Sequence, residues 1–381
     1  MKMKKEFDLE CITVSQMNLI SNSRIIWRRL NIWMRAYVVS RYKGIGTEEE
    51  IFVRLYQETQ KFGDSLNIIF GRDKAEEYSN LLSQFMTTYR DLIDAHINRN
   101  MRGATENIDL LYQNVRGQAA YLAKMNPYFQ ESQWTNMLET FLRYSIMRIN
   151  SFVTDSFAED IVRYKELTSL TDLIGFVFAQ GVYDYLTSGT KSTNPDQEFC
   201  LTYEQANTIY QIRMLWFELN SWVRSYMLSR YRGIGDETQI YNRLKELPTE
   251  YANNLRRFFG ENPSIEQLEL LINEYVELID QFITAQIQGT TDAQNRITKL
   301  LYQNADQRAA AVSSLNPFWE ESEWRNRLYK NLRSTLESSV TFLTGDYDRN
   351  LSIYSRLIDY AESASDYFAE GLLSYLNLIS Q

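Results

Sequence analysis

The chain has 381 residues, of which 44% are hydrophobic and 14% aromatic, and this apolar content excludes an intrinsically disordered protein. Only 15 glycines and 5 prolines interrupt it, which favours long helices over a turn-rich β protein. Lys and Arg number 40 against 49 Asp and Glu, a net charge of −9, and no basic stripe of the kind that binds nucleic acid is present.

The first eleven residues read MKMKKEFDLEC, a basic start followed by acidic and mixed residues. A secretory signal needs an apolar stretch at this place, so export by that route is not expected. The most apolar helical window, residues 167–186, contains Asp172 and Asp184, which would be costly inside a bilayer. With only two cysteines, we expect free thiols in a cytoplasmic protein that has no transmembrane segment and no membrane partner.

The sequence of the first half recurs in the second half. Residues 24–46 read RIIWRRLNIWMRAYVVSRYKGIG and residues 213–235 read RMLWFELNSWVRSYMLSRYRGIG, with 13 of 23 positions identical at an offset of 189. The offset is 186 at Asp94 and Asp280 and 190 from Asn114 and Asn304 onward, which indicates insertions in loops. We therefore predict a first domain 1–187, a polar linker 188–198 (SGTKSTNPDQE) and a second domain 199–381.

Helix-start and helix-stop signals divide each half into about six helices. Capping boxes at Thr13-x-x-Gln16 and Thr47-x-x-Glu50 predict the first two starts, and Gly44 predicts the first end. The other predicted boundaries are Gly71, a third helix ending near Gly103, a stop at Asn126-Pro127, a fifth helix around Trp134 and a sixth from about Ser156. Their counterparts are Thr202 with Gln205, Gly233, Asp236 with Gln239, Gly260, Ser264 with Gln267, Gly289, Asn316-Pro317, Trp324 and Asp346.

The apolar residues follow helical spacing. Trp27, Leu30, Met34, Val38 and Tyr42 recur at three and four residues, the pattern of an amphipathic helix. No alternating run indicates a sheet. We predict an all-α protein made of two tandem, duplicated helical bundles of about six helices each, related by a pseudo-twofold axis or by a translation.

Residues 301–332 read LYQNADQRAAAVSSLNPFWEESEWRNRLYKNL, and a Gly345-Asp346-Tyr347 turn follows. These motifs resemble a family of all-helical bacterial proteins with Tyr-x-Asn-Ala-Asp, Asn-Pro-aromatic-Trp and Gly-Asp-Tyr segments. The resemblance covers most of each half and is sharper in the second, since Arg116 stands in the first half where the second has Asp306. It implies a helical fold and a bacterial origin, with no established activity.

Some members of that family carry the label acetylglutamate kinase. We reject this activity, because an amino-acid kinase needs an α/β sheet and glycine-rich phosphate loops. The pairs Gly44-Ile45-Gly46 and Gly233-Ile234-Gly235 follow helices and lack the strand and the Lys-Ser/Thr of a phosphate loop, so we interpret them as helix caps.

The residue types needed for most catalytic and metal sites are scarce. His96 is the only histidine, whereas a di-iron bundle site needs a Glu-x-x-His motif on each of two helices. A zinc site needs clustered Cys and His ligands, which two distant cysteines do not supply. We expect no metal and no cofactor, and we interpret His96 as an ordinary helix-end residue.

A set of arginines, aromatic residues and aspartates is retained in both halves. Each arginine could stack on a ring and pair with a carboxylate to fasten helices, which is the interpretation we favour. Alternatively, the set could line an anion-binding pocket between helices. The candidate ligand-binding residues are Arg35, Tyr37, Arg41, Arg224, Tyr226, Arg230, Asp94 and Asp280.

Other duplicated residues are expected in the core. The tryptophans have helical spacing typical of core residues, although an aromatic-lined cavity for an apolar ligand is an alternative. Asn114 and Asn304 follow a tyrosine in mid-helix and are candidates for buried hydrogen-bonding locks between helices.

The leading functional hypothesis is a non-enzymatic interaction, scaffold or sequestering protein that binds a protein partner or associates with itself. The alternative is a small-molecule binding protein that holds an apolar or anionic ligand inside its bundles. An enzyme that uses carboxylates such as Asp94, Asp280 or Asp306 is a third, disfavoured hypothesis, because no paired catalytic constellation is visible.

Overall fold

The computed structural model of the chain describes residues 7–45, 47–188 and 199–380. These residues form twelve helices and one two-stranded sheet, and they divide into two compact units between Tyr203 and Glu204. The predicted all-α class with about six helices in each half is confirmed. The predicted linker lies outside the described residues except for Ser188.

The first unit contains a closed bundle of six helices. They are α1 Val14–Lys43, α2 Glu48–Phe70, α3 Arg72–Ile97, α4 Met101–Met125, α5 Glu131–Val153 and α6 Phe157–Thr187. Each helix packs on the next, and α6 packs on α1. Trp33 and Trp134 are fully buried at the centre, as expected for tryptophans at core spacing.

The second unit has the same order of helices. They are α7 Tyr203–Arg232, α8 Glu237–Phe259, α9 Pro263–Ile287, α10 Thr291–Ser313, α11 Glu321–Thr344 and α12 Tyr347–Ile379. Helices α8 to α12 pack in sequence. Helix α7 is tied to α12 by the Asn220 side chain, whose Nδ2 donates to the Leu357 carbonyl at 3.0 Å.

Several predicted helix boundaries are confirmed. Thr13 and Gln16 form the capping box at the start of α1, and Gly44 ends this helix in the left-handed conformation. Asp236 caps α8 by accepting from the Gln239 N–H at 3.0 Å. Helix α4 ends at Met125, directly before the Asn-Pro pair, because the residue before proline is driven out of helical space.

Three predicted boundary details are wrong. The Thr47 side chain does not cap α2, and its hydroxyl lies 3.3 Å from the Ser40 hydroxyl instead. Helix α9 begins at Pro263 behind an Asn262 cap, one residue before the predicted Ser264 box, since proline fits the first helical position. Gly103 lies inside α4, because the chain turns earlier, where Arg99 adopts a positive φ of 56°.

The two short strands lie within the first unit. Strands β1 (Ile12–Thr13) and β2 (Cys200–Leu201) pair antiparallel, and Ile12 faces Leu201. The Tyr203 N–H donates to the Leu9 carbonyl at 2.7 Å, which extends this pairing. Residues 199–203 therefore belong with the first unit, although they follow the predicted linker.

Cys11 and Cys200 form a disulfide, so the expectation of free thiols is wrong. Disulfides persist mainly in oxidising compartments, and the cysteine argument for a reducing cytoplasm therefore no longer holds. The two cysteines occupy equivalent positions of the repeat, and no pattern in the sequence signals that equivalent positions meet. None of the described helices has the length and apolarity needed to cross a bilayer.

The disulfide closes a loop of 189 residues that contains the whole first bundle. In a chain-entropy description, opening a loop of this length lowers the free energy of unfolding by up to about 5 kcal/mol. We expect Cys11→Ser/Cys200→Ser to lose protection against hydrogen exchange in peptides of α1 to α6. Unchanged protection after complete removal of the bond would contradict this role.

Two helix-interior glycines give room for an aromatic ring. A Cβ at Gly181 of α6 would overlap the Phe129 ring, and a Cβ at Gly371 of α12 would overlap the Trp319 indole. The Trp319 Nε1 donates to the Phe368 carbonyl at 3.3 Å, so this ring is fixed on the helix backbone. Phe129 and Trp319, each two residues after the proline of its Asn-Pro pair, thus lie against a helix where a glycine leaves room for the ring.

Gly371→Ala should lower the free energy of unfolding by about 1–3 kcal/mol, because the added methyl group must displace the Trp319 ring. Gly117→Ala in α4 is the matched control, since its nearest neighbour would be Leu81 Cδ2 at 4.0 Å. That control should raise stability by up to about 1 kcal/mol through helix propensity. Urea unfolding followed by tryptophan fluorescence measures both, and equal effects would contradict the packing argument.

Candidate functional site

Arg35 and Arg224 each lie between the first and last helices of their bundle. The Arg35 guanidinium pairs with the Asp160 carboxylate of α6 at 2.7 Å, and its Cζ lies 5.5 Å from the Tyr164 ring centroid. The Arg224 Cζ lies 4.7 Å from the centroid of the Tyr354 ring of α12. Both positions join the first and last helices of their bundle through stacking.

Arg41 and Asp94 form an ion pair between α1 and α3, with Arg41 Nε 2.8 Å from Asp94 Oδ1. Tyr37 lies beside them, and burial, followed by the negative charge of Asp94, raises the pKa of its hydroxyl. These three residues line a cleft of about 330 Å³ together with residues 48–50, all glutamates. Because carboxylates outnumber the single guanidinium, this cleft repels anions.

The second bundle holds the corresponding cluster. Arg230 pairs with Asp280, and the Tyr226 hydroxyl donates to Asp280 Oδ1 at 2.8 Å. Arg230 Nη1 also donates to the Tyr226 hydroxyl at 2.9 Å, and Nη2 donates to Thr284 Oγ1 at 2.8 Å. Burial raises the pKa of Tyr226, against the opposing effect of Arg230. Every donor of this network that we describe already has a protein acceptor.

The helices α3 and α9 correspond at an offset of 190. The side-chain amide of Asn114 donates to the Leu81 carbonyl at 3.0 Å, and that of Asn304 donates to the Leu271 carbonyl at 2.8 Å. Both side chains join neighbouring helices as predicted, and Asn304 is buried whereas Asn114 is half-buried. Asp280 lies one turn away from the position equivalent to Asp94, yet it meets its arginine because residues four apart share a helix face.

A cavity of about 50 Å³, partly open to solvent, lies in the second unit. Side chains from α7 to α11 line it, and Arg308 of α10 is the one charged residue among the described residues of this lining. The walls are otherwise aliphatic and aromatic. They include Trp216, Leu247, Tyr251, Leu268 and Trp324.

Arg308 is a buried cation without a counter-ion. Only 6% of the residue is exposed, and its Nε has no hydrogen-bond acceptor. Among the described residues, no ion pair or hydrogen bond reaches its guanidinium, and its Cζ lies 4.6 Å from the Tyr275 ring centroid. The nearby Glu274 is exposed and accepts from Asn304 Nδ2 at 2.8 Å instead. Burial accordingly lowers the pKa of Arg308.

Arg243 of α8 is a buried arginine of the same bundle that has carboxylate partners. It is also 6% exposed, but it pairs with Glu218 at 2.5 Å, with Glu246 at 2.9 Å and with Glu250. Burial lowers the pKa of Arg243, yet Glu250 and Glu218 together raise it above the ordinary value. The two arginines therefore share a degree of burial and differ in charge compensation.

The first bundle has a satisfied polar pair at the equivalent place. At the offset of 190, Gln118 stands where Arg308 is and Tyr78 stands where Leu268 is. The Tyr78 hydroxyl donates to Gln118 Oε1 at 3.2 Å, and Gln118 Nε2 donates to Asn114 Oδ1 at 2.7 Å. Exchanging this pair for leucine and arginine removes a ring and introduces a charge.

The indole N–H groups of the lining do not distinguish the two bundles. Those of Trp216 and Trp324 have no acceptor, and the same holds for Trp27 and Trp134 in the first unit. A buried guanidinium with an unsatisfied Nε is found in both bundles, at Arg148 and at Arg308, and Arg308 lines the cavity of the second bundle.

One feature of the sequence points to Arg308, although it is not a residue that the two halves share. The residue falls on the buried stripe of α10, where Leu301, Ala305, Ala309 and Val312 recur at helical spacing. An arginine on an apolar stripe, at a position where the two halves differ, is the sequence signal for this site. The eight predicted ligand-binding residues are instead residues that recur in both halves.

His96 lies in the last turn of α3, as predicted, and burial lowers the pKa of its ring. Within the described ranges, no group of three or more His, Cys, Asp or Glu side chains is arranged to hold a metal ion. Comparison with models of protein families, with curated proteins and with solved structures found no match for this chain. The resemblance to a helical bacterial family therefore stays a prediction.

Arg308→Met should raise the free energy of unfolding by roughly 1–3 kcal/mol in a buffer without organic anions, because it replaces an uncompensated buried charge by an apolar chain of similar length. Arg243→Met should instead lower it by roughly 3–5 kcal/mol, since three carboxylates lose their partner. Urea unfolding of both variants measures the contrast. A loss of stability of similar size in both would contradict the assignment of Arg308 as uncompensated.

Proposed function

We propose that the protein is a small-molecule binding protein that holds an organic anion in the cavity of its second bundle. The observation that carries this proposal is Arg308, which lines the cavity, is buried, and has no ion pair or hydrogen bond to its guanidinium among the described residues. A bound anion would supply the missing negative charge and the missing hydrogen-bond acceptor.

The unpaired Arg308 is a cost to the stability of the folded protein. An unpaired buried charge is strongly unfavourable, so a chain selected for stability alone would replace Arg308 by an apolar residue or pair it. The first bundle has a hydrogen-bonded pair at this place, in which the Tyr78 hydroxyl donates to Gln118. An arginine kept beside open space is typical of a binding site, where stability is given up for function.

The proposal concerns binding and not catalysis. The described lining of the cavity contains no carboxylate, thiol, serine or imidazole that could act as a base or nucleophile. The scaffold hypothesis, with a protein partner or self-association, stays a prediction, because no particular surface of the described residues favours it.

Thermal and urea unfolding in the presence of organic anions tests the proposal. A ligand at 100 times its dissociation constant raises the free energy of unfolding by about 2.7 kcal/mol. We expect carboxylates to stabilise the natural protein in this way, whereas their neutral amides do not. Gln118→Met, the matched change in the first bundle, should leave the response intact.

Two variants remove the site by different routes. Arg308→Met removes the charge, and Leu268→Tyr introduces into the cavity lining the ring that stands at the equivalent position of the first bundle. Both should abolish stabilisation by anions while circular dichroism remains helical. Anion stabilisation that survives in both folded variants would overturn the proposal.

A further inference from the structure

We infer that a cleft of the first bundle binds a polyamine, an aliphatic chain with two or more protonated amino groups. Helices α1, α2 and α3 form this cleft, which we call the acidic cleft. Its lining residues are Tyr37, Arg41, Glu48, Glu49, Glu50 and Asp94. They all belong to the first unit, so the site does not depend on the anion site proposed in the second.

The charge of the acidic cleft favours a cation. Four carboxylates and a single guanidinium line it, and the guanidinium of Arg41 is paired with Asp94. Among the described residues, no ion pair reaches Glu49 or Glu50. Both glutamates are exposed, so a ligand can reach their carboxylates. Neighbouring charges of one sign repel each other, and a bound cation would relieve this repulsion.

The second bundle shows that a helix at this place does not need such an excess of negative charge. Residues 49–50 are both glutamate, whereas the equivalent residues 238–239 are threonine and glutamine. Helix α8 therefore begins with Glu237 as the one acidic residue of its first turn. A carboxylate there is favourable at a helix start, but the two further glutamates of α2 go beyond this requirement.

The Tyr37 hydroxyl is the second feature that points to a ligand. Tyr37 is only 2% exposed and lines the cleft. None of the described residues forms a hydrogen bond with its hydroxyl, and the protein does not enclose the oxygen, which therefore faces the cleft. Its counterpart Tyr226 instead donates to Asp280 and accepts from Arg230. An amine in the acidic cleft would supply the donor that Tyr37 lacks.

An exchange between the two bundles explains why this hydroxyl has no protein partner. At the offset of 190, Arg90 stands where the second bundle has Asp280. A guanidinium has no acceptor atom and cannot replace that carboxylate. Arg90 stacks on Phe52, with its Cζ 4.5 Å from the ring centroid, and its Nε lies 3.8 Å from Asp91.

The acceptors of the acidic cleft select protonated amines among cations. Carboxylates and a phenol oxygen accept hydrogen bonds, and an ammonium group offers N–H donors. A quaternary ammonium has no N–H and is held by cages of aromatic rings, whereas Tyr37 is the one aromatic residue of the described lining. Its carboxylates are carried by two helices, so charges spaced along a flexible chain fit them better than one compact charge.

A divalent metal ion fits the acidic cleft less well. Such an ion needs several oxygen ligands that converge on one point. No group of three or more acidic side chains within the described ranges is arranged in this way.

Isothermal titration calorimetry of the full-length protein with spermidine at low ionic strength tests the inference. The comparison cations are propylamine with one charge, hexamethonium with two quaternary charges, and Mg²⁺. Two variants change the site by different routes. Tyr37→Phe removes only the hydroxyl, and Glu49→Thr/Glu50→Gln introduces the residues that begin α8.

Each of these variants has a matched control. Tyr226→Phe removes the equivalent hydroxyl of the second bundle, and Glu106→Gln/Asp109→Asn removes two carboxylates from the exposed surface of α4. Circular dichroism verifies that every variant is folded.

We expect spermidine to bind about tenfold more tightly than propylamine, hexamethonium and Mg²⁺, and its affinity to fall as salt is added. Tyr37→Phe and Glu49→Thr/Glu50→Gln should each weaken spermidine binding about tenfold. Both controls, and Arg308→Met in the second bundle, should keep the natural affinity.

Unchanged binding in Tyr37→Phe, or equal losses in the two double variants, would overturn the acidic cleft as the site. Tightest binding by Mg²⁺ or hexamethonium would overturn the class of ligand. If spermidine does not bind, both are overturned.

Discussion

A guanidinium that is buried in a helical bundle needs an acceptor and a negative charge beside it, because water no longer supplies them. This requirement accounts for the ion pairs that join distant parts of the chain, such as Arg35 with Asp160 and Arg41 with Asp94. Arg243 shows the same rule in its strongest form, with three carboxylates around one side chain. Arg148 and Arg308 are exceptions among the described residues, and Arg308 lines the cavity of the second bundle.

Because the arrangement of six helices is duplicated, each bundle serves as a control for the other. Both have six helices, both carry an asparagine lock between neighbouring helices, and both pack an aromatic ring on a helix glycine. Because the frame is kept, the exchange of Tyr78 and Gln118 for Leu268 and Arg308 changes the interior without changing the fold. The first bundle has a hydrogen-bonded polar pair at this place, and in the second bundle Leu268 and the charged Arg308 line a cavity.

Much of the fold could be predicted from the sequence, because long helices are set by local patterns. The Thr13 capping box, Gly44 and the apolar stripe around Trp27 each act within a few residues. The disulfide and the short strands could not be predicted, since they depend on which distant segments meet. The cavity depends on volumes contributed by five helices, and no single segment encodes it.

Selectively labelled arginine NMR tests the central claim most directly, because the Nε–H resonance of a guanidinium reports whether that donor has an acceptor. Assignment comes from the spectrum of Arg308→Lys, and Arg29, which is buried and whose Nε donates to Glu58 Oε2 at 2.9 Å, is an internal reference. On addition of an organic anion that stabilises the protein, the Arg308 resonance should shift with saturation while the Arg29 resonance stays in place. An Arg308 resonance that is unaffected by any anion, or that already shows a hydrogen-bonded shift without one, would contradict the account.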